Sequence, residues 1–297
     1  MAQVMWMGTR GNETWVKAPA SSADFSRKKL PTQLSFVNGG SAVLGSRTSH
    51  AEYNMSWPVA GRLEMRPVLD FAAGIYDNDP LAKFVVPENL VYFIDPMEMD
   101  LNLAPINWGN PVLACSDAPS LLNDVRSGVA APRPEAVRTS ANTMRYPTFS
   151  ARYTLTDTSV PRSFYLPIPP GHTLWAGFHG SATGDAGVKV SPVGSAGRYL
   201  TPLGLTGQRV KESFQGATGV DIQLDGSPGD TLTLSALILQ IVRSDRAPQG
   251  GEYISGRGHS GCAFADEPTV TALSSVNERA EVSVAAKLVE VGAWLKL

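Results

Sequence analysis

A short run near the end of the chain, GRGHSGCAFADEP (256–268), holds the residues whose types and spacing most resemble reaction chemistry. Its centre, GHSGC, is one residue away from the G-x-S-x-G turn that presents a nucleophilic serine between a strand and a helix. That chemistry needs a helix after the serine, because helix amides help bind the oxyanion while the glycines relieve crowding at a strained turn. Here Cys262 stands at the second glycine, and the following AFADEPTVTAL reads as strand and turn. His50, His172 and His179 all precede Ser260, so the Ser, Asp, His chain order is not completed either. A glycine-rich loop leading into a strand is expected, and no enzymatic role.

Other reactive types are weaker. His172 and His179 flank TLWAGF at a spacing of seven, which in a strand sends them to opposite faces and makes them a poor metal pair. Asp77, Asp79, Asp95, Glu98 and Asp100 crowd in sequence, yet DNDP lacks the ligand register of a calcium loop, and glycosidase pairs cannot be read from spacing; solvated loop charge is expected. Trp175, His179 and Tyr199 could present rings to a sugar from a sheet face, although an aromatic in such a strand more often belongs to the core. Cys115 and Cys262 have no Cys or His at metal spacing, so two reduced, buried thiols are expected and no cofactor.

The elements that would hold these residues are mostly strands. At 297 residues, the chain suits two domains, and 28 Gly with 22 Pro favour short strands and many turns. Net charge is −2, which supplies no general field for a nucleic acid. MAQVMWMGTRGNETWV does not read as a signal peptide, and LSALILQIV (234–242) is far too short for a membrane span, so cytosolic synthesis is expected. Charge is nonetheless uneven: residues 1–50 carry six basic against two acidic side chains, and 51–125 carry three against eleven. Either an intramolecular match or a head-to-tail contact between copies would use that split.

HAEYNMSW (50–57) alternates as a half-buried strand, RLEMRPVLDFAAGIY (62–76) repeats at helical intervals with an irregularity expected at Pro67, and LVYFID (90–95) is a strand. Residues 116–143 read as a connector between a first domain over 1–115 and a second over 144–297. In the second, FYLPIP, TLWAGF, GVKVSPV, GVDIQL and TLTLSALILQIV recur between turn residues, followed by TVTAL and AEVSVAAKLVEVGAWL. The expected class is mainly β: a first domain with one helix, then an antiparallel jelly-roll sandwich of about eight strands. The terminal strand is expected to close that sandwich, a return to the first domain being the other topology. The stretch 1–33, with Trp6, Trp15 and the basic Arg27, Lys28 and Lys29, is either an arm that orders on assembly or a strand pair of the first domain.

Long phrases carry a resemblance. LSFVNGG (34–40), the spaced His50, Tyr53 and Trp57, RPVLDFAAGIYD (66–77) and VYFIDPMEMDLNLAP (91–105) are joined by FYLPIPPGHTLWAGFHGSATG (164–184), GRGHSGCAFADEPTV and AKLVEVGAWL (286–295). The chain resembles minor tail proteins of siphophages that infect actinobacteria, and its first half is similar in arrangement to the belt domain of distal tail proteins. The resemblance implies a virion protein at the tail tip. Its first, tube-like β domain would form a ring, hexameric in that family, and its outward sandwich would be galectin-like or like a carbohydrate-binding module. Implied partners are further copies of itself, the tail tube protein, the tape measure, other tip proteins and a host-surface glycan. Arg27, Lys28 and Lys29 against Asp77, Asp79, Asp95 and Asp100 are the expected ring contacts.

Overall fold

A computed structural model describes residues 4–20, 24–28, 32–35, 41–44, 50–81, 89–95, 99, 101–105, 135–138, 149–155, 162–203, 210–248, 256, 258–259, 261–274 and 280–290. The first part of the chain supplies β1 (Val4–Thr9), β2 (Thr14–Lys17), β3 (Asp24–Lys28), β4 (Thr32–Ser35), β5 (Ser41–Leu44), β6 (His50–Gly61), the helix α1 (Arg62–Ala72) and β7 (Val91–Ile94). The middle supplies β8 (Glu135–Arg138), β9 (Phe149–Thr154), β10 (Arg162–Pro167), β11 (His172–Ala182), β12 (Gly187–Pro192), β13 (Arg198–Tyr199), β14 (Pro202–Leu203), β15 (Glu212–Gln215), β16 (Gly219–Asp225) and β17 (Thr231–Arg243). The end adds β18 (Cys262–Phe264), β19 (Thr269–Ala272) and β20 (Glu281–Glu290). The protein is thus mainly β, with several antiparallel sheets and one helix among the described residues.

The first sheet runs β2-β1-β7-β18-β20-β6-β3, with β19 added on β20. Strand β6 alternates from Tyr53 to Trp57, with Tyr53, Met55 and Trp57 buried and Asn54 and Ser56 exposed; Glu52, expected outward, is buried with its carboxylate 3.2 Å from Lys287 Nζ. Its buried face joins Met5, Met7, Phe93, Val284 and Leu288, and α1 covers them with Met65, Val68 and Phe71. The Glu64 side chain accepts the Gly61 N–H at 3.1 Å to start the helix, and Gly74, at φ +70°, ends it. Pro67 does not break α1. The carbonyl its missing N–H would have met belongs to Leu63, a 70 % exposed residue in the first turn, where water can serve it.

Two further sheets share one core. The four-stranded β10-β16-β12-β13 presents Phe164, Leu166, Val188, Val190, Val220, Ile222 and Leu224 to Leu174, Ala176, Phe178, Leu232, Leu234, Leu237, Leu239 and Ile241 of the six-stranded β14-β11-β17-β9-β8, which also carries β15. On β17 the inward set shifts parity between Leu234 and Leu237. The cause is a bulge: His179 pairs with Ala236 and Gly180 with Leu234, leaving Ser235 extra. Ser235 then meets Ser150 at 2.8 Å, a buried polar pair. A Cβ on Gly180 would collide with the Thr233 carbonyl oxygen, so the bulge requires glycine there.

One expectation is corrected and one open alternative is decided. The terminal strand β20 does not close the second pair of sheets; it pairs with β6 from Glu281 to Val289 and with β18 and β19, inside the first sheet. In the N-terminal stretch, residues 4–17 are no loose arm. They form the hairpin β1–β2, with Trp6 opposite Trp15 and their rings 5.0 Å apart. The two regions also share packing, since Ile94, Met99, Leu103 and Ala104 enter the second core and Leu103 donates its N–H to the Leu239 carbonyl at 2.7 Å.

Candidate functional site

The glycine-rich loop builds a clasp. Gly258 donates its N–H to the Ala104 carbonyl at 3.1 Å, and a Cβ there would collide with the Leu103 carbonyl oxygen, so only glycine permits this approach. The approach seats His259 among Tyr53, Tyr92 and Phe93, with the Phe93 ring 4.3 Å away. Gly261 N–H donates to Nδ1 at 3.2 Å, while Nε2 lies 3.1 Å from the Phe93 carbonyl oxygen and 3.4 Å from the Phe93 N. Burial holds the imidazole down at about 4, against the opposing pull of its bond to Phe93. His259 is therefore neutral with both nitrogens engaged, and the chain continues into strand β18 rather than a helix. Cys262 is buried as a free thiol, raised well above its usual range by burial and by Glu290.

Next to the clasp the two regions are bolted together. Tyr165, on the outer face of β10, donates its hydroxyl to Glu13 Oε1 at 2.7 Å, and Arg10 reaches Asp221 on β16. The Arg10 guanidinium lies 5.0 Å from the centre of the Tyr165 ring, and Tyr92 meets that ring edge-on at 5.0 Å. Burial first, then the Glu13 carboxylate, push the phenol well above its ordinary value. Only a small cavity of about 20 Å³ remains beneath, lined by Tyr53, Tyr92, Phe93, Asp95, Tyr165 and His259.

The open site is elsewhere, at the far edge of the same four-stranded sheet. A groove of about 670 Å³ runs between Phe178 and Ala182 of β11, the turn at Asp185, Tyr199 on β13 and the turn from Asp225 to Ser227. Tyr199 is 47 % exposed and lies across Gly187, where a Cβ would come within 2.9 Å of its ring. Its hydroxyl donates to Asp225 Oδ2 at 2.7 Å, and Lys189 reaches the same oxygen at 3.3 Å. Burial alone would raise Asp225, but the hydrogen bonds from Tyr199 and Lys189 outweigh it and hold the carboxyl low. The bond to Asp225, then burial, in turn push Tyr199 up to about 12. The result is an exposed aromatic ring held in place by a carboxylate that also meets Lys189.

The expected sugar-facing set is not assembled. Trp175 is partly buried against Val210, Ala236 and Ile238 on the outer face of the six-stranded sheet, and His179 is fully buried; Tyr199 alone is open, on the other sheet. Of the expected ring contacts, Arg27 and Lys28 lie in β3, while Lys29 and Asp100 fall outside the described residues, as does Ser260. Asp77, raised by burial, and Asp79 sit in the turns after α1, where Asp79 exchanges bonds of 2.8 Å with Asn89. Asp95 follows β7 and lines the small cavity. Among the described residues no three His, Cys, Asp or Glu come together as a metal group, and no helix is long and apolar enough to cross a membrane. Glu13, Tyr165, Lys189, Asp225 and His259 went unrecognised in the sequence. Lys189 and Tyr199 become cross-strand partners only once β12 and β13 pair. No protein-family model matches the chain, and no curated protein matches it in sequence.

Proposed function

We propose that this chain is a structural protein of a siphophage tail tip, a distal or minor tail protein whose copies form a ring, hexameric by the resemblance, joining the tail tube to the tip proteins. One observation carries this reading. The phrases on which the resemblance rests lie far apart in sequence, yet those around Tyr53, Phe93, Cys262 and Leu288 form strands β6, β7, β18 and β20 of a single sheet. A ring-forming belt domain built from both ends of the chain, followed in space by a jelly-roll sandwich facing outward, accounts for that arrangement. Its work is repeated contact with copies of itself and with tube, tape-measure and tip proteins, within the virion. The test is native mass by light scattering across concentration, with negative-stain images of the largest species. A closed ring is expected; reversing Arg27, Lys28 and Lys29 to Glu is expected to weaken it.

A second reading, a carbohydrate-binding sandwich for adhesion to a host surface, is favoured by the held, exposed ring of Tyr199. Titration with cell-wall saccharides against the wild type and Tyr199→Ala separates the two. A response lost in the variant supports a glycan role alongside assembly, and no response in the wild type ends it.

A further inference from the structure

Beside β18, on the side of β20 away from β6, the first sheet has a short edge at the four-residue β19. In the pairing of β19 with β20, Thr271 stands opposite Ser283 and Thr269 opposite Ala285, while Leu273 donates its N–H to the Glu281 carbonyl. Hydrogen-bonded positions therefore alternate through 273, 271 and 269, and Val270 and Ala272 turn their N–H and C=O groups away from β20. Among the described residues no strand pairs with that outer side. All four residues of TVTA are exposed, Val270 at 47 % and the adjoining Leu273 at 49 %. None is charged and none is proline, the devices by which an edge strand is ordinarily blunted.

An edge of opposite character lies across β20 and β6. Among the described residues β3, DFSRK, is the last strand beyond β6 and carries Arg27 and Lys28, whereas β19 is led in by exposed Asp266 and Glu267. An acid-flanked edge beside β20 and a basic strand beyond β6 cannot satisfy each other within one copy, because the strands between hold them apart. They can between copies.

We propose that β19 of one copy adds edge to edge to β3 of the next, so that the first sheets join head to tail with the acidic lead-in of one against the basic strand of its neighbour. Such a contact is heterologous, and its repetition closes a ring when the rotation permits. The proposal rests on the ring reading above and names the edges that would close it.

The test is native mass of the full chain by light scattering across concentration, for the wild type and its variants. Ala272→Pro removes an outward N–H while leaving the ladder to β20 in place, since an edge position facing away from its partner tolerates proline. Val270→Lys adds a charge at the same edge without touching the backbone. Both are expected to lose the assembled species while keeping the wild-type thermal midpoint. Arg27→Glu with Lys28→Glu is expected to lose it too, and adding Asp266→Lys with Glu267→Lys is expected to restore it. A wild type that assembles together with β19 variants that assemble equally well overturns the edge proposal and leaves the ring reading standing. A dimer that is lost in the β19 variants but indifferent to the β3 reversals means that β19 pairs with itself, which overturns β3 as the partner. A wild type that is monomeric at every concentration overturns self-assembly altogether, and this proposal with it.

Discussion

Tyr165 and Tyr199 sit in one four-stranded sheet, and each donates its hydroxyl to a carboxylate at 2.7 Å, Glu13 in one case and Asp225 in the other. Their fates differ completely. Tyr165 is 4 % exposed because Arg10 and Glu13 of the β1–β2 turn and Tyr92 of β7 lie over it, while Tyr199 keeps 47 % of its surface in the open groove. The carboxylate of Tyr165 comes from across the interface between the two regions, and that of Tyr199 from a strand of its own sheet. The same chemical pair thus acts as a bolt at one end of the sheet and as a presented ring at the other. Residue type does not separate the two roles; what covers the residue does.

The comparison can be broken most strongly at the bolt. Tyr165→Ala removes a buried ring and leaves Glu13 without its donor, so a loss of about 4 kcal/mol in a chemical denaturation experiment is expected. A loss below about 1 kcal/mol would mean that the two regions are held mainly by the backbone hydrogen bonds of Met99 and Leu103 to β17.

Acid should loosen the same end. The buried His259 is depressed from 6.5 to about 4, so the stability it contributes is fully present above about pH 6.5 and is lost as pH falls through that window to 4. The amount is about 3 kcal/mol, and thermal midpoints measured from pH 7 to 4 would track it. In His259→Phe that part of the pH dependence should vanish, whatever the variant's absolute stability. The groups facing this ring are Tyr53, Tyr92 and Phe93, with Asp95 lining the same cavity.

Smaller effects sharpen the contrast. Tyr165→Phe keeps the ring and deletes the bond to Glu13, for an expected loss of about 1.5 kcal/mol, whereas Tyr199→Phe should stay within about 0.5 kcal/mol. Equal losses in the two variants would erase the distinction between bolt and presented ring. At the open end, Asp225→Asn should bring the Tyr199 phenol back from about 12 toward its ordinary 10, read by ultraviolet titration.

Local pattern made much of this fold legible. From Tyr53 to Trp57, HAEYNMSW alternates in sequence and in burial, while Glu52 is buried against expectation, and TLWAGF, GVKVSPV, GVDIQL and TLTLSALILQIV each fall inside strands β11, β12, β16 and β17, give or take a terminal residue. The helix was placed correctly but shortened by its Gly74 cap. Less of the candidate site was visible. Tyr165 and Glu13 are 152 positions apart, and His259 meets the Phe93 carbonyl across 166, so no window of sequence contains both partners. Trp175 and His179 looked like Tyr199 from their residue types, but the outer face of their strand is covered.

By itself, the sequence determined that segments such as 50–57, 173–178, 187–193, 219–224 and 231–242 are strands and that a helix begins at Arg62 and is closed by Gly74, because those come from side-chain periodicity and from the backbone freedom of particular glycines. Only the tertiary structure decided that β20 returns to β6, that Gly256 and Gly258 pack against residues 103–105, and that one tyrosine is roofed while another is bare. Alternation specifies a face but not the sheet it must join, and the choice of partner is made by contacts between segments far apart in the chain.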